Sequence, residues 1–137
     1  MRCPHCPAGE IREVPLQELL CHEEIEPARL YELLKHVQTN NEAAVEPILV
    51  DQRTKVILDG HHRYHLFQYL GREKIPCCLI DYQADWVEVR PRRPEFVVTK
   101  AEVIRRALTG DLYPPKTTKH IVHQPPCERC GATAEGS

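Results

Sequence analysis

Pro47-Ile48-Leu49-Val50, then Asp51-Gln52-Arg53-Thr54, then Lys55-Val56-Ile57-Leu58, then Asp59-Gly60, then His61-His62-Arg63-Tyr64: this run of the chain decides the fold. Residues 47–50 and 55–58 are rich in β-branched and aliphatic side chains, and the four polar residues between them make a turn. The pattern predicts a β-hairpin. The second strand runs out into Asp59-Gly60, and a helical pattern follows, with Leu66, Phe67 and Leu70 on its apolar side and Gly71 as its stop. A strand that turns at a glycine straight into a helix brings the helix's unpaired N–H groups to the strand's exit.

Working outward from this unit, residues 11–14 predict a first strand, and Leu16, Leu19 and Leu20 a short helical turn. Pro27 suits the first position of a helix, where its missing N–H costs nothing. Leu30, Leu33, Leu34 and Val37 follow at helical spacing and are expected to face the core, with residues 39–41 ending the helix. Cys21-His22-Glu23-Glu24 is then a loop feeding that helix. On the other side, residues 75–81 predict a strand and residues 87–90 a shorter one. Thr99-Lys100-Ala101-Glu102 has the form of a capping box, in which Thr99 caps a helix and Glu102 reaches back. Val103, Ile104 and Leu108 would be the inner face of that helix and Gly110 its end. Residues 116–120 fall in the tail beyond. No internal repeat is visible. The expected architecture is α+β, a small mixed β-sheet with flanking helices. The 137 residues suit a single domain with its core at about 11–122 and cysteine-bearing extensions at 1–10 and 123–137.

Hydrophobic residues make up 42% and charged residues 28% of the chain, an ordinary balance for a globular domain. No apolar run approaches the ~20 residues of a membrane span, and the first residues lack the apolar stretch of a signal peptide. The expected location is the cytosol. A net charge of -2 gives no basic surplus, so nucleic acid is not the default partner. Arg90, Arg92 and Arg93, set among prolines, read as a solvated loop. Cys21, Cys77 and Cys78 read as small packing residues rather than a disulfide framework.

The start of the second helix is the strongest chemical signal. Its free N–H groups and dipole favour an anion. Gly60 lets a ligand approach the backbone. His61 and His62 can donate hydrogen bonds to phosphate oxygens, and Arg63 can do so while always charged. Asp59 has the wrong charge for phosphate but suits Mg²⁺, which takes carboxylate together with phosphate oxygens. The plain alternative makes Asp59 a helix cap and the histidines surface residues. Cations at a helix N-terminus are disfavoured unless an anion compensates, which favours the phosphate reading. Lys116-Thr117-Thr118-Lys119-His120 combines cations, hydroxyls and an imidazole, and could form a second wall over phosphates or a carboxylate.

The hairpin with Asp59-Gly60-His61-His62-Arg63 resembles the ParB/sulfiredoxin superfamily, and within it the free L-serine kinases. Those enzymes phosphorylate free serine to O-phosphoserine from ADP or ATP. Two further features stand in family order: His22-Glu23 ahead of a helix, and residues 99–103 followed by Gly110 and by residues 113–120. The resemblance covers roughly residues 11–122. It implies that Glu23 is the general base and Asp59 the essential aspartate. It implies that Gly60, His61, His62 and Arg63, with Lys116, Thr117 and Thr118, hold nucleotide phosphates, and that His22 and His120 meet the substrate. ADP or ATP with Mg²⁺ and L-serine would be the partners. Lys119 stands where arginine is more usual. A segment that shapes substrate access in larger members, between the third strand and the closing helix, is missing, so the resemblance bears on the nucleotide more than on the acceptor. Without the resemblance, Glu23, Glu24 and Glu26 are simply acids near a helix start.

Cys3-x-x-Cys6 and Cys127-x-x-Cys130 are each shaped like half of a zinc knuckle, and four thiolates make a structural zinc site if the two ends meet. Two thiol-bearing tails are the alternative. Three other functions compete with a kinase. A ParB-like nucleotide-binding module for regulation or DNA partition lacks an evident helix-turn-helix here. Sulfiredoxin chemistry needs a cysteine beside the helix start, where His61 and His62 stand. The fourth reading is a zinc-tied binding protein without turnover.

Overall fold

A computed structural model of the chain describes residues 10–39 and 47–123. Cys3, Cys6, Cys127 and Cys130, and with them the zinc expectation, lie outside the described residues. Strand β1 (Glu10–Pro15) leads through a short 3-10 turn (Leu16–Glu18) and an extended segment to helix α1 (Pro27–Thr39). Then come β2 (Ile48–Asp51), β3 (Ile57–Asp59), α2 (His61–Tyr69), β4 (Lys74–Ile80), β5 (Val87–Pro91), α3 (Lys100–Thr109) and β6 (Thr118–Val122).

Four strands form one sheet in the order β1-β4-β2-β3. The hairpin partners β2 and β3 are antiparallel, β1 is antiparallel to β4, and β2 runs parallel to β4. The parallel pair follows from the connection: α2 carries the chain from the end of β3 back across the sheet before β4 begins. Asp51 closes the hairpin turn by accepting from the Thr54 hydroxyl at 2.6 Å and the Thr54 N–H at 3.3 Å. β5 and β6 form a separate antiparallel pair.

Alternation along β4 divides the buried side chains between two clusters. Ile75, Cys77 and Leu79 join Val14, Ile48, Val50, Ile57 and the α2 residues Tyr64 and Phe67. Cys78 and Ile80 join Val56, Leu58, Tyr82, Val87, Tyr113 and the α3 residues Val103 and Ala107. The sheet is therefore covered by α2 on one face and by α3 with the small sheet on the other. Burial pushes the Cys77 thiol up to about 12 and the Cys21 thiol up to about 11, which makes both inert packing groups.

The structure departs from the sequence reading at four places. The α1 stripe is only half-buried at Leu30, Leu33 and Leu34. Among the described helices and strands α1 packs chiefly on α2, and Leu33 lines a cleft instead of the core. Leu108 is 61% exposed and Ala107 takes the inner position, because only Val103 and Ala107, four residues apart, point squarely at the sheet. Only half of the capping box forms. Thr99 Oγ1 accepts the Glu102 N–H at 3.1 Å, while the Glu102 carboxylate turns to Arg105 at 2.7 Å and Arg106 at 3.2 Å. Cations at i+3 and i+4 hold a carboxylate better than one backbone N–H does. Finally, residues 118–122, read as tail, are strand β6.

Candidate functional site

A cleft of about 480 Å³ opens where α1, the β3–α2 junction and the segment leading into β6 come together. Gly60 makes the junction possible. Its φ is +106°, a left-handed conformation that side chains resist, and a Cβ there would stand 2.8 Å from Ile48 Cβ and closer still to Ile48 Cγ2. With Gly60 as N-cap, no side chain caps α2 among the described residues. The first N–H groups of α2 are thus left for a ligand in the cleft. Asp59 is exposed at the end of β3 and does not cap the helix, and half-buried Arg63 lies alongside, its Nη1 donating to the Pro47 carbonyl at 3.3 Å.

Glu23 lines the same cleft as this junction. Its backbone is fixed against Tyr113: the Glu24 N–H donates to the Tyr113 carbonyl at 2.8 Å, and the Tyr113 N–H donates to the His22 carbonyl at 2.9 Å. Tyr113 is itself fully buried, with the Arg106 guanidinium 4.1 Å from its ring centre. Glu23 Oε1 accepts the Thr117 N–H and the Thr118 N–H, each at 2.9 Å, and sits 3.1 Å from the Thr118 hydroxyl. Lys116, at φ +59°, makes the left-handed turn that brings these two successive N–H groups to bear on one oxygen. Glu23 Oε2 makes no such bond among the described residues. Burial raises the Glu23 pKa, against the N–H donors and the Arg92 charge, which lower it. A carboxylate raised by burial and still open to a cleft is suited to taking up a proton.

The two histidines of α2 are placed differently from the phosphate donors expected of them. His61 Nε2 accepts the His22 N–H at 3.2 Å, and His62 Nε2 accepts the Glu26 N–H at 3.0 Å. Together they grip both ends of segment 22–26, which carries Glu23. Burial lowers the pKa of each, that of His61 well below the ordinary value. An accepting Nε2 puts the proton of the neutral ring on Nδ1, and Nδ1–H is what each histidine has left for a phosphate.

His22, expected to meet the substrate, is 0% exposed. Its Nδ1 is 2.7 Å from the Ile57 carbonyl and its Nε2 is 2.9 Å from the Thr118 hydroxyl. Burial takes it off the cleft wall and places it behind Glu23. Thr117 is likewise buried, its hydroxyl donating to the Pro114 carbonyl at 2.6 Å, so only its backbone N–H serves the site. Lys116 reaches Glu26 Oε1 at 3.4 Å across the mouth of the cleft. His120 lines the cleft, and its Nε2 is 2.8 Å from the hydroxyl of buried Tyr82. The expected residues therefore converge from β3, α2, β6 and the two segments ahead of α1 and β6, with His22 behind them.

No protein-family model matches the chain. A ParB-like protein of Sulfolobus acidocaldarius is 40% identical over 81 residues, which are 59% of this chain and 40% of that protein. An ATP-dependent L-serine kinase of Desulfurococcus mucosus is 34% identical over 98 residues, 69% of this chain and 38% of that protein. The chain thus spans about two fifths of the curated relatives it matches. A free serine kinase in complex with AMP superposes with a TM-score of 0.71 at 16% identity, over 83% of this chain and 88% of that one. The C-terminally truncated SbnI of Staphylococcus aureus superposes with a TM-score of 0.67 at 13% identity, over 82% of each chain. In sequence the chain is similar to ParB-like and L-serine kinase proteins, and it shares its fold with the free serine kinase structure.

Sequence reasoning missed Arg92. Its neighbours Arg90 and Arg93 behave as a plain loop would, Arg90 pairing with Glu88 and Arg93 donating to the Pro115 carbonyl at 2.7 Å. Arg92 instead lines the cleft and acts electrostatically on Glu23. Its place depends on the pairing of β5 with β6, extended by the Arg92 N–H donating to the Thr117 carbonyl at 2.7 Å. No local pattern announces that pairing. Arg29, in the first turn of α1, also lines the cleft and was missed because helical spacing does not say which exposed residues border a cleft.

Proposed function

We propose that this protein is a phosphotransferase that moves a phosphoryl group from an adenine nucleotide, ADP or ATP, to the hydroxyl of free L-serine or a similar small molecule. One observation carries the reading: Glu23, held by two backbone N–H groups, faces the uncapped start of α2 and Asp59 across a single cleft. The name of the Desulfurococcus mucosus relative and the AMP-bound free serine kinase fold support it.

In this reading the nucleotide phosphates lie on the α2 N-terminus, with Arg63, Lys116, Lys119 and Arg92 supplying charge around them. Asp59 fits a Mg²⁺ ion shared with those phosphates: it is an exposed carboxylate beside the phosphate cradle, and no group of three or more metal ligands among the described residues would cage the ion without them. Mg²⁺ would neutralise phosphate oxygen charge. Glu23 accepts the proton of the acceptor hydroxyl. That oxygen forms its bond to phosphorus as the bond from phosphorus to the bridging oxygen of the nucleotide breaks. The raised pKa of Glu23 strengthens it as a base, while the N–H groups on Oε1 keep it ionised enough to act. His120 beside the cleft would meet the acceptor.

The test is phosphorus NMR of the protein with Mg²⁺, L-serine and either ADP or ATP. A serine-dependent O-phosphoserine signal is expected, reduced by about 10²-fold or more in Glu23→Ala and lost in Asp59→Ala. The 40% identity to a ParB-like protein favours one second reading, a nucleotide-binding regulatory module without turnover. Nucleotide binding with no product from any small hydroxyl acceptor would establish that reading instead.

The spacing of Cys3, Cys6, Cys127 and Cys130 supports a structural zinc ion tying the two extensions together. Purified protein would then carry one zinc per chain, absent from a Cys127→Ser variant. No helix among the described residues is long and apolar enough to cross a membrane, and the cytosol is the location we assign.

A further inference from the structure

The hydrogens behind Glu23 can be counted. His22 Nδ1 lies 2.7 Å from the Ile57 carbonyl oxygen. A carbonyl only accepts, so Nδ1 carries the ring hydrogen. His22 is fully buried, and burial lowers its pKa to about 4, so the ring is neutral and Nε2 is bare. Bare Nε2 only accepts, and its neighbour at 2.9 Å is the Thr118 hydroxyl. That hydroxyl owns one hydrogen. On its other side, at 3.1 Å, is Glu23 Oε1, which also only accepts when Glu23 is ionised. Two acceptors claim one hydrogen, at a hydroxyl whose residue is only 7% exposed.

One added proton resolves the conflict. With Glu23 protonated, its O–H donates to Thr118 Oγ1, the Thr118 O–H donates to His22 Nε2, and His22 Nδ1–H donates to the Ile57 carbonyl. The three hydrogen bonds of the chain then run in one direction, while the Thr117 and Thr118 N–H groups are left with a weaker acceptor in Oε1. We propose that His22, acting through Thr118, is a positioning residue that sets the proton affinity of Glu23: the chain of three is one proton short and takes that proton at Glu23. This rests on the proposed function only for the source of the proton, the acceptor hydroxyl. The Thr117 and Thr118 N–H groups and the Arg92 charge pull the other way. Arg29, Glu32, His36, Asp59, His61, His62, Arg63, Lys116, Lys119 and His120 line the same cleft and add to the field on Glu23.

The experiment follows the Glu23 carboxyl by carbon NMR through a pH titration, with its signal assigned by loss in Glu23→Gln. In His22→Asn the amide still reaches the Ile57 carbonyl but offers nothing at the Nε2 position. The Thr118 hydrogen then turns to Glu23, and the Glu23 midpoint falls by about one pH unit. In a Thr118→Val background, where the messenger is gone, His22→Asn leaves the Glu23 midpoint where Thr118→Val alone puts it. An unmoved or raised midpoint in His22→Asn, or the same shift with and without Thr118, overturns the proposal. Nitrogen NMR of His22 in the unaltered protein provides a check that no variant can spoil by misfolding. A neutral ring with its hydrogen on Nδ1 is expected at pH 7, and the opposite tautomer or an imidazolium overturns the proposal. None of these readouts needs turnover. A protein that makes no phosphoserine but shows the shift loses the proposed function and keeps this inference; a working kinase whose Glu23 ignores His22 does the reverse.

Discussion

At Gly60 a single missing Cβ carries the geometry of the cleft. The left-handed φ and the contact with Ile48 act together, so Gly60→Ala is expected to destabilise the protein by about 2–4 kcal/mol, measured by urea unfolding, with nucleotide binding weakened more than the loss of fold explains. This requirement was readable in the sequence, because a glycine between a strand and a helix has few other uses. Glu23 was readable as the candidate base only through the family resemblance, since three acids stand together before α1. The structure singles it out by the two N–H groups aimed at it, whereas Glu24 is exposed. Glu24→Gln should leave phosphoserine formation within about twofold of the unaltered rate, a size ordinary for a surface change away from the reacting atoms. The burial of His22 had no local signature at all: it depends on Ile57 and Thr118, which lie far along the chain.

At the scale of elements, α2 does two things with one turn. Its backbone opens to the cleft while its histidine side chains reach back and hold segment 22–26. A glutamine at position 62 can offer its carbonyl oxygen where Nε2 accepts, and an alanine cannot. His62→Gln is therefore expected to keep most of the activity. His62→Ala should cost about 1 kcal/mol of stability through the unpaired Glu26 N–H and lower kcat more than it raises KM, because the base loses its anchor. Steady-state kinetics with both variants checks this. The hairpin, α2 and α3 were legible because each couples periodicity to a turn or cap residue. β6 was not, although Thr117, Thr118, Ile121 and Val122 are β-branched. The charged Lys119 and the isolated position of the segment hid a strand that pairs with β5 alone among the described residues. The α1 stripe misled in the opposite sense: its period was right, but amphipathicity does not say whether the apolar side meets a core or a cleft.

The molecule as a whole buries neutral histidines, and this fixes how it responds to acid. Burial lowers His22 to about 4 and His120 to about 3 from an ordinary value of 6.5. The unfolded chain binds protons at these positions first as pH falls, so stability is lost on going down from about pH 6.5 to about 4 and is retained above. Glu23, raised by burial, works weakly against this just above its ordinary 4.5. Thermal unfolding is expected to show a flat melting temperature above pH 7 and a fall of several degrees between pH 6.5 and 4, and His22→Gln should flatten part of that fall. The α+β class was plain from the order of the patterns, while the division into a four-stranded sheet and a separate β5–β6 pair was not, because strand pairing is a long-range property.

Glu23 meets its N–H donors across 94 and 95 residues of chain. During synthesis Glu23 emerges early and its partners far later. The nascent polypeptide can complete the β2–β3 hairpin, α2 and most of its core while the carboxylate still stands in water, untuned. The arrangement around Glu23 is therefore completed only when β6 docks, and a chain stopped just before Thr118 keeps the four-stranded sheet but lacks the strand that holds the carboxylate.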